Sequence, residues 1–179
     1  WFENQSKDTL GETVYDWLSA IYNASINKLL TVGGTVKLVI INSEFRKPSS
    51  TLINKVQEEI DPTDTAGEGD GIAPIGHVVN VVGVKEEPIN ITLSSVEYET
   101  GYSFDKLKDA METTIDNYLL DLRQTWASNT NLIVRISQME AQLLLIEGIV
   151  DMKAVLLNDQ AENVTLGSDS IPVRGELIG

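Results

Sequence analysis

Between residues 71 and 102 the chain carries two β-rich runs in direct succession, with helix-patterned segments on both sides. The first run reads Gly71-Ile-Ala-Pro-Ile-Gly-His-Val-Val-Asn-Val-Val-Gly-Val84 and the second Ile89-Asn-Ile-Thr-Leu-Ser-Ser-Val-Glu-Tyr98. Lys85-Glu-Glu-Pro88 joins them and reads as a charged bend. β-Branched side chains at this density favour extended backbone, where they pack well on a pleated surface. Val79, Val81 and Gly83 fall on one face of the first run, and Val78, Val82 and Val84 on the other. In the second, Ile89, Ile91 and Leu93 alternate with polar residues, the period of a half-buried strand. The expectation is an α+β chain of two small units, 1–86 and 87–179, sharing this long double strand, with mixed or antiparallel sheets covered by amphipathic helices.

Upstream, residues 1–8 are polar and expected to fray. Thr9 is placed to cap a helix over 9–22 that carries Val14, Trp17, Leu18 and Ile21 at helical spacing. A strand over 24–31 follows. Gly33-Gly34 signals a hairpin because both residues tolerate positive φ, and the nearly all-apolar 35–41 then reads as a central strand. Ser49 or Ser50 caps a helix bearing Leu52, Ile53, Val56 and Ile60, and Pro62 ends it by disfavouring helical geometry at Asp61. Asp61-Pro-Thr-Asp-Thr-Ala-Gly-Glu-Gly-Asp-Gly71 reads as a loop, whose glycines and like charges oppose a single fixed conformation.

Downstream, Ser103 opens the longest helix, extending to about Trp126. Leu107, Met111, Ile115, Tyr118, Leu122 and Trp126 form its apolar stripe, with Phe104, Ala110 and Leu119 beside it. Asp105, Lys108, Asp109, Glu112, Asp116 and Arg123 mark the opposite, solvated face. Residues 128–131 read as a turn and 132–136 as a short strand. Ser137-Gln-Met-Glu140 has the spacing of a capping box, opening a helix with Met139, Leu143, Leu144 and Ile146 that ends near Gly148. Residues 149–157, 163–166 and 171–174 read as strands, and Pro172 suits an edge.

The net charge of −14 decides against two classes of partner: such a surface repels nucleic acid and anionic lipid. The absence of cysteine excludes disulfides, thiolate metal sites and cysteine nucleophiles. No apolar run approaches the roughly 20 residues that span a bilayer, and no signal peptide is visible. Trp1 in place of an initiator Met leads to the expectation that the chain is a piece of a longer protein.

Candidate chemistry is sparse. Asp61, Asp64, Glu68 and Asp70 offer the carboxylates calcium prefers, but from no starting residue do they meet the spacing of an EF-hand, and a solvated acidic loop is the favoured reading. The glycines of 67–71 do not make a phosphate loop, since no lysine follows and two carboxylates would repel the phosphate. His77 is the one histidine that could act as a base, yet it stands at the start of a Val-rich strand without a nucleophile motif. Glu86 and Glu87 are adjacent, so on a strand they point to opposite faces and do not form an acid pair. Tyr118 and Trp126 read as core rather than as a ligand platform. The glycosylation triplets at Asn23, Asn90 and Asn163 are a short pattern, and the last two of those asparagines stand in expected strands, where an acceptor is unfavourable. No catalytic residue, metal site or cofactor is therefore expected.

One set of residues goes further. Gly34-Thr-Val-Lys-Leu-Val-Ile-Ile41 is followed by Gly67-Glu-Gly-Asp-Gly-Ile-Ala-Pro-Ile-Gly-His77, then Glu87-Pro-Ile-Asn-Ile91, Gly101-Tyr102, Tyr118-Leu-Leu-Asp-Leu-Arg123, Trp126, Glu147-Gly-Ile-Val-Asp151 and Ile171-Pro-Val173. In order and spacing this resembles the baseplate J-like proteins of contractile-tailed phages and prophages, from about Ala24 to the end of the chain. Where the family has a tryptophan-containing turn before its Gly-Thr-Val strand, this chain has Leu30-Thr-Val-Gly-Gly34. The resemblance implies the carboxyl-terminal portion of a structural wedge protein of a tail baseplate. Such a part is present in several copies, contacts other wedge and tail proteins, and brings no catalytic residues. It also implies a place in the virion tail, assembled in the bacterial cytoplasm. Two other classes remain open to the residues alone. An acidic adaptor or ligand-binding module would show a deep apolar pocket with convergent polar groups. A hydrolase would show carboxylates or His77 gathered in a cleft.

Overall fold

The computed structural model describes residues 30–32 and 34–179. The helix expected over 9–22 and most of the strand expected over 24–31 lie outside them. The chain divides between Lys85 and Glu86 into two compact units, with Ala127–Thr130 grouped with the first.

In the first unit, β1 (Leu30–Val32) pairs antiparallel with β2 (Thr35–Ile40), Val32 opposite Thr35, and Gly34 has φ 89°. Helix α1 (Ser50–Ile60) then carries the chain over to β3 (Val78–Gly83), which runs parallel to β2. Strand β2 is central, as its apolar sequence predicts. Leu38 and Ile40 of β2, Val79 and Val81 of β3, and Leu52 and Val56 of α1 close one core together with Ala73. Ser49 caps α1, its hydroxyl accepting the Leu52 N–H at 3.2 Å, and Asp61 ends it before Pro62.

The two β-rich runs do not form a shared double strand. β3 belongs to the first sheet, while β4 (Lys85–Tyr98) is the centre of the second, between β6 (Ile149–Leu157) and β8 (Ser170–Ile178). Nor do residues 85–88 bend: they are the first residues of β4, and Pro88 is exposed there. Charged residues suit a strand end whose side chains reach water, so charge alone was a poor turn signal. Ile89, Ile91 and Leu93 are buried on one face of β4, as their alternation predicts, and β6 runs antiparallel to it with Ile91 opposite Leu157.

Helix α2 (Phe104–Gln124) follows Ser103 and lies against β8 and α3 (Ile136–Leu143), which itself packs on β6. At about 1.5 Å per residue α2 is roughly 31 Å long. Leu107, Met111, Ile115 and Tyr118 are buried as expected, but the buried face then continues through Leu119 and Arg123. Leu122 is half-buried, Ala110 is exposed, and Trp126 is buried in a 3-10 turn beyond the helix. From Leu107 the buried side chains run in steps of four through Met111, Ile115 and Leu119 to Arg123, and because four residues overshoot the 3.6-residue turn the buried face winds around the helix.

The capping box at Ser137 does not form. Ser137 stands inside α3, which Arg135 precedes without a side-chain cap. The N-terminal amides find partners from elsewhere: Asn163 Oδ1 accepts the Ile136 N–H at 3.0 Å and the Tyr118 hydroxyl accepts the Arg135 N–H at 2.9 Å. A two-stranded ribbon, β5 (Ile133–Val134) with β7 (Val164–Thr165), completes the second unit.

Candidate assembly surfaces

The acidic loop is ordered around its first carboxylate. Asp61 is 1% exposed, and its Oδ1 accepts the Gly67 N–H at 2.9 Å while Oδ2 accepts the Val79 N–H at 2.8 Å. Backbone bonds then fix the rest: Ile72 N–H to Glu59 O at 3.1 Å, Ala73 N–H to Ile60 O at 2.8 Å, and Gly76 N–H to Gly67 O at 2.8 Å. Asp64, Glu68 and Asp70 point to solvent, away from the buried Asp61. Among the described residues no group of three or more His, Asp or Glu side chains gathers as a metal would require.

Gln57 completes this arrangement from α1. Its Nε2 donates to Asp61 O at 2.7 Å and to Val79 O at 2.9 Å, and its Oε1 accepts the Val81 N–H at 2.8 Å. β3 flanks β2 at the sheet edge, and the backbone groups of Val79 and Val81 that face away from β2 are thus met by side chains. An amide has one acceptor and two donors, so it can imitate a neighbouring strand. A strand edge closed in this way is poorly suited to pairing with another chain.

His77 is exposed just before β3. Glu86 and Glu87 are adjacent in β4 rather than in a bend, and successive strand residues face opposite sides of the sheet. Asn90 sits in β4, where its backbone and side chain bond to Asn158 and to the Glu176 N–H. Asn163 is used at the start of α3. Arg123, expected on the solvated face, is 7% exposed and donates through Nη1 to Pro172 O at 2.9 Å. Asp116 is exposed as expected and Glu112 is half-buried, and the two hold Arg174 of β8 at 3.0 and 3.2 Å. Burial raises the pKa of Tyr118, an effect its contacts with Arg135 partly offset.

What each unit offers outward is apolar contact. In the first, Ile72, Ile75 and Val78 are 65%, 77% and 40% exposed. In the second, the turn after α3 exposes Leu144 and Leu145, the latter at 79%. A surface groove of about 340 Å³ between α2 and α3 is lined by Tyr118, Asp121, Leu122, Gln138, Ala141 and Gln142. Through Tyr118, Asp121 and Gln142 it continues into a second hollow of about 230 Å³ that reaches Leu145 and Ile146. Leu122 is half-buried because it floors this groove rather than the core. No helix among the described residues is long and apolar enough to cross a membrane.

Residues 17–83 match the baseplate J-like central domain and residues 89–178 the baseplate J-like protein C-terminal domain. Two relatives come from Bacillus subtilis (strain 168). Phage-like element PBSX protein XkdT is 30% identical over 160 residues, 89% of this chain and 44% of that protein. The protein YqbT is 32% identical over 144 residues, 80% of this chain and 39% of that protein. The chain thus spans less than half the length of either. Among solved structures, a chain of the cryo-EM structure of the anti-feeding prophage (AFP) baseplate is similar at 11% identity and a TM-score of 0.49, covering 78% of this chain and 29% of that one. With both domains matched in order, the chain belongs to the baseplate J-like family, a family of phage and prophage baseplate components.

Proposed function

We propose that this chain is a wedge component of a phage or prophage tail baseplate, holding neighbouring tail proteins in a ring and catalysing no reaction. The observation that carries the reading is the ordered match of central and C-terminal domains over 17–83 and 89–178. The relative named for the phage-like element PBSX supports a prophage source. The surfaces fit the role: a structural part needs rigid layers and accessible apolar contacts, and each unit exposes large apolar side chains beside a packed sheet. The groove between α2 and α3 is open to solvent, which suits a protein side chain better than a small molecule that must be largely enclosed.

Co-expression of the gene's full product with the tail proteins encoded beside it tests this. The expected result is a stable complex that is lost on deleting residues 88–179. A full product that binds none of them, with particles lacking it still carrying normal baseplates, would refute the wedge role. Turnover in a general hydrolase screen that disappears in a His77→Ala variant would refute the non-catalytic reading.

A further inference from the structure

We infer that the loop over residues 67–78 is a docking surface for a partner protein that presents an apolar patch framed by lysine and arginine. The inference rests on the assembly role proposed above and names the chemistry of one of its contacts. Ile72 and Ile75 are exposed within this loop, and Val78 is exposed where it enters β3. They are not loose. Ala73, between two of them, is buried in the first unit's core, and the loop's backbone is bonded to Glu59, Ile60 and the Asp61 carboxylate. Val78 and Ile75 lie over the bare backbones of Gly67 and Gly69: a Cβ on Gly67 would stand 3.0 Å from Val78 Cγ2, and one on Gly69 3.3 Å from Ile75 Cβ. Apolar side chains held outward on an ordered loop bind with little further loss of entropy, a recurrent property of contact surfaces.

The charge around them selects the partner. From Glu58 to His77 the sequence contains Glu58, Glu59, Asp61, Asp64, Glu68 and Asp70 and no lysine or arginine. Asp61 is turned inward, and the other five carboxylates are exposed. Charge of one sign around an apolar centre steers association toward the opposite sign and rejects like charge. A second copy of this chain would bring the same carboxylates and a net charge of −14. Nucleic acid and anionic lipid are repelled for the same reason. A protein surface with apolar anchors inside a basic rim meets both halves of the site.

The test uses the gene's full product and, one at a time, the purified tail proteins encoded beside it. Binding is measured by titration at low and high salt for wild type, for Ile72→Ser with Ile75→Ser, for Glu68→Lys with Asp70→Lys, and for Leu145→Ser in the α2–α3 turn. Thermal unfolding checks that each variant folds. One neighbour is expected to bind wild type more weakly as salt rises, and to lose about tenfold or more in affinity with either loop variant while Leu145→Ser binds it normally. Wild-type affinity in both loop variants, or loss confined to Leu145→Ser, overturns the loop proposal and leaves the assembly role standing. Self-association of wild type that the loop variants abolish overturns it in favour of a second copy. Failure of wild type to bind any neighbour overturns both.

Discussion

Asp61 Oδ2 accepts the backbone N–H of Val79 at 2.8 Å, while Oδ1 of the same carboxylate accepts that of Gly67 at 2.9 Å. One side chain thus ties the end of α1, the acidic loop and the first residues of β3 together. The carboxylate suits the place because both of its oxygens are acceptors, and both partners are donors.

Asp61→Asn tests that account. The amide keeps one acceptor but sets an NH2 group against a backbone N–H, leaving a buried donor without a partner. Such a loss costs about 1–3 kcal/mol, and urea unfolding should show a destabilisation of that order. Asp64→Asn, in the same loop but exposed, should change stability by less than about 0.5 kcal/mol. Equal effects from the two substitutions would contradict the clasp.

A second contrast lies along α2. Leu119 is fully buried and Leu122 floors the surface groove. Leu119→Ala should cost roughly 2–5 kcal/mol, as buried truncations do, and Leu122→Ala distinctly less. The reverse order in denaturant titrations would place the core on the other side of the helix.

These two helices also show what the sequence made legible. Apolar periodicity located α1, α2, β2, β6 and the buried face of β4, and local cap and stop signals set both ends of α1. What stayed hidden depended on distant partners. Arg123 is charged and reads as solvent-facing until Pro172, in a strand far along the chain, supplies a buried acceptor. Ser137 has capping-box spacing, but Asn163 and Tyr118 meet the amides around the start of α3, and neither is adjacent in sequence. Asp61 was grouped with its loop's other carboxylates because nothing local separates it from them. The family resemblance, carried by Gly67–His77 and the motifs around it, was legible; the exposure of Ile72 and Ile75 within that motif was not.

Tyr102 provides a pH signature for the second unit. Its hydroxyl donates to Glu147 Oε1 at 3.3 Å, and the negative charge of Glu147, followed by partial burial and the hydrogen bond itself, raises its pKa. The neutral phenol is therefore favoured in the fold. Its contribution is complete below the ordinary tyrosine value of about 10 and is lost as pH rises through the higher folded value. Ultraviolet titration of phenolate formation should show Tyr102 ionising later than free tyrosine. Glu147→Gln should bring that step to lower pH, and an unchanged titration would remove Glu147 as the cause.

The last prediction concerns the two units as separate folding entities. Residues 86–179 contain all of β4 except Lys85, both of its sheet neighbours, and helices α2 and α3 packed on β8 and β6. Their fully buried side chains include Ile89, Ile91, Met111, Ile115, Leu119, Met139, Leu143 and Leu157. A segment of roughly 90 residues with a core of that size is large enough to fold alone. Expressed by itself, it should unfold in a single cooperative transition in urea. Leu119→Ala should destabilise this fragment by the same amount as it destabilises the whole chain, because distant sites are additive. Two outcomes would count against independence: a fragment without a cooperative transition, or a Leu119→Ala effect that differs by more than about 0.5 kcal/mol between fragment and chain.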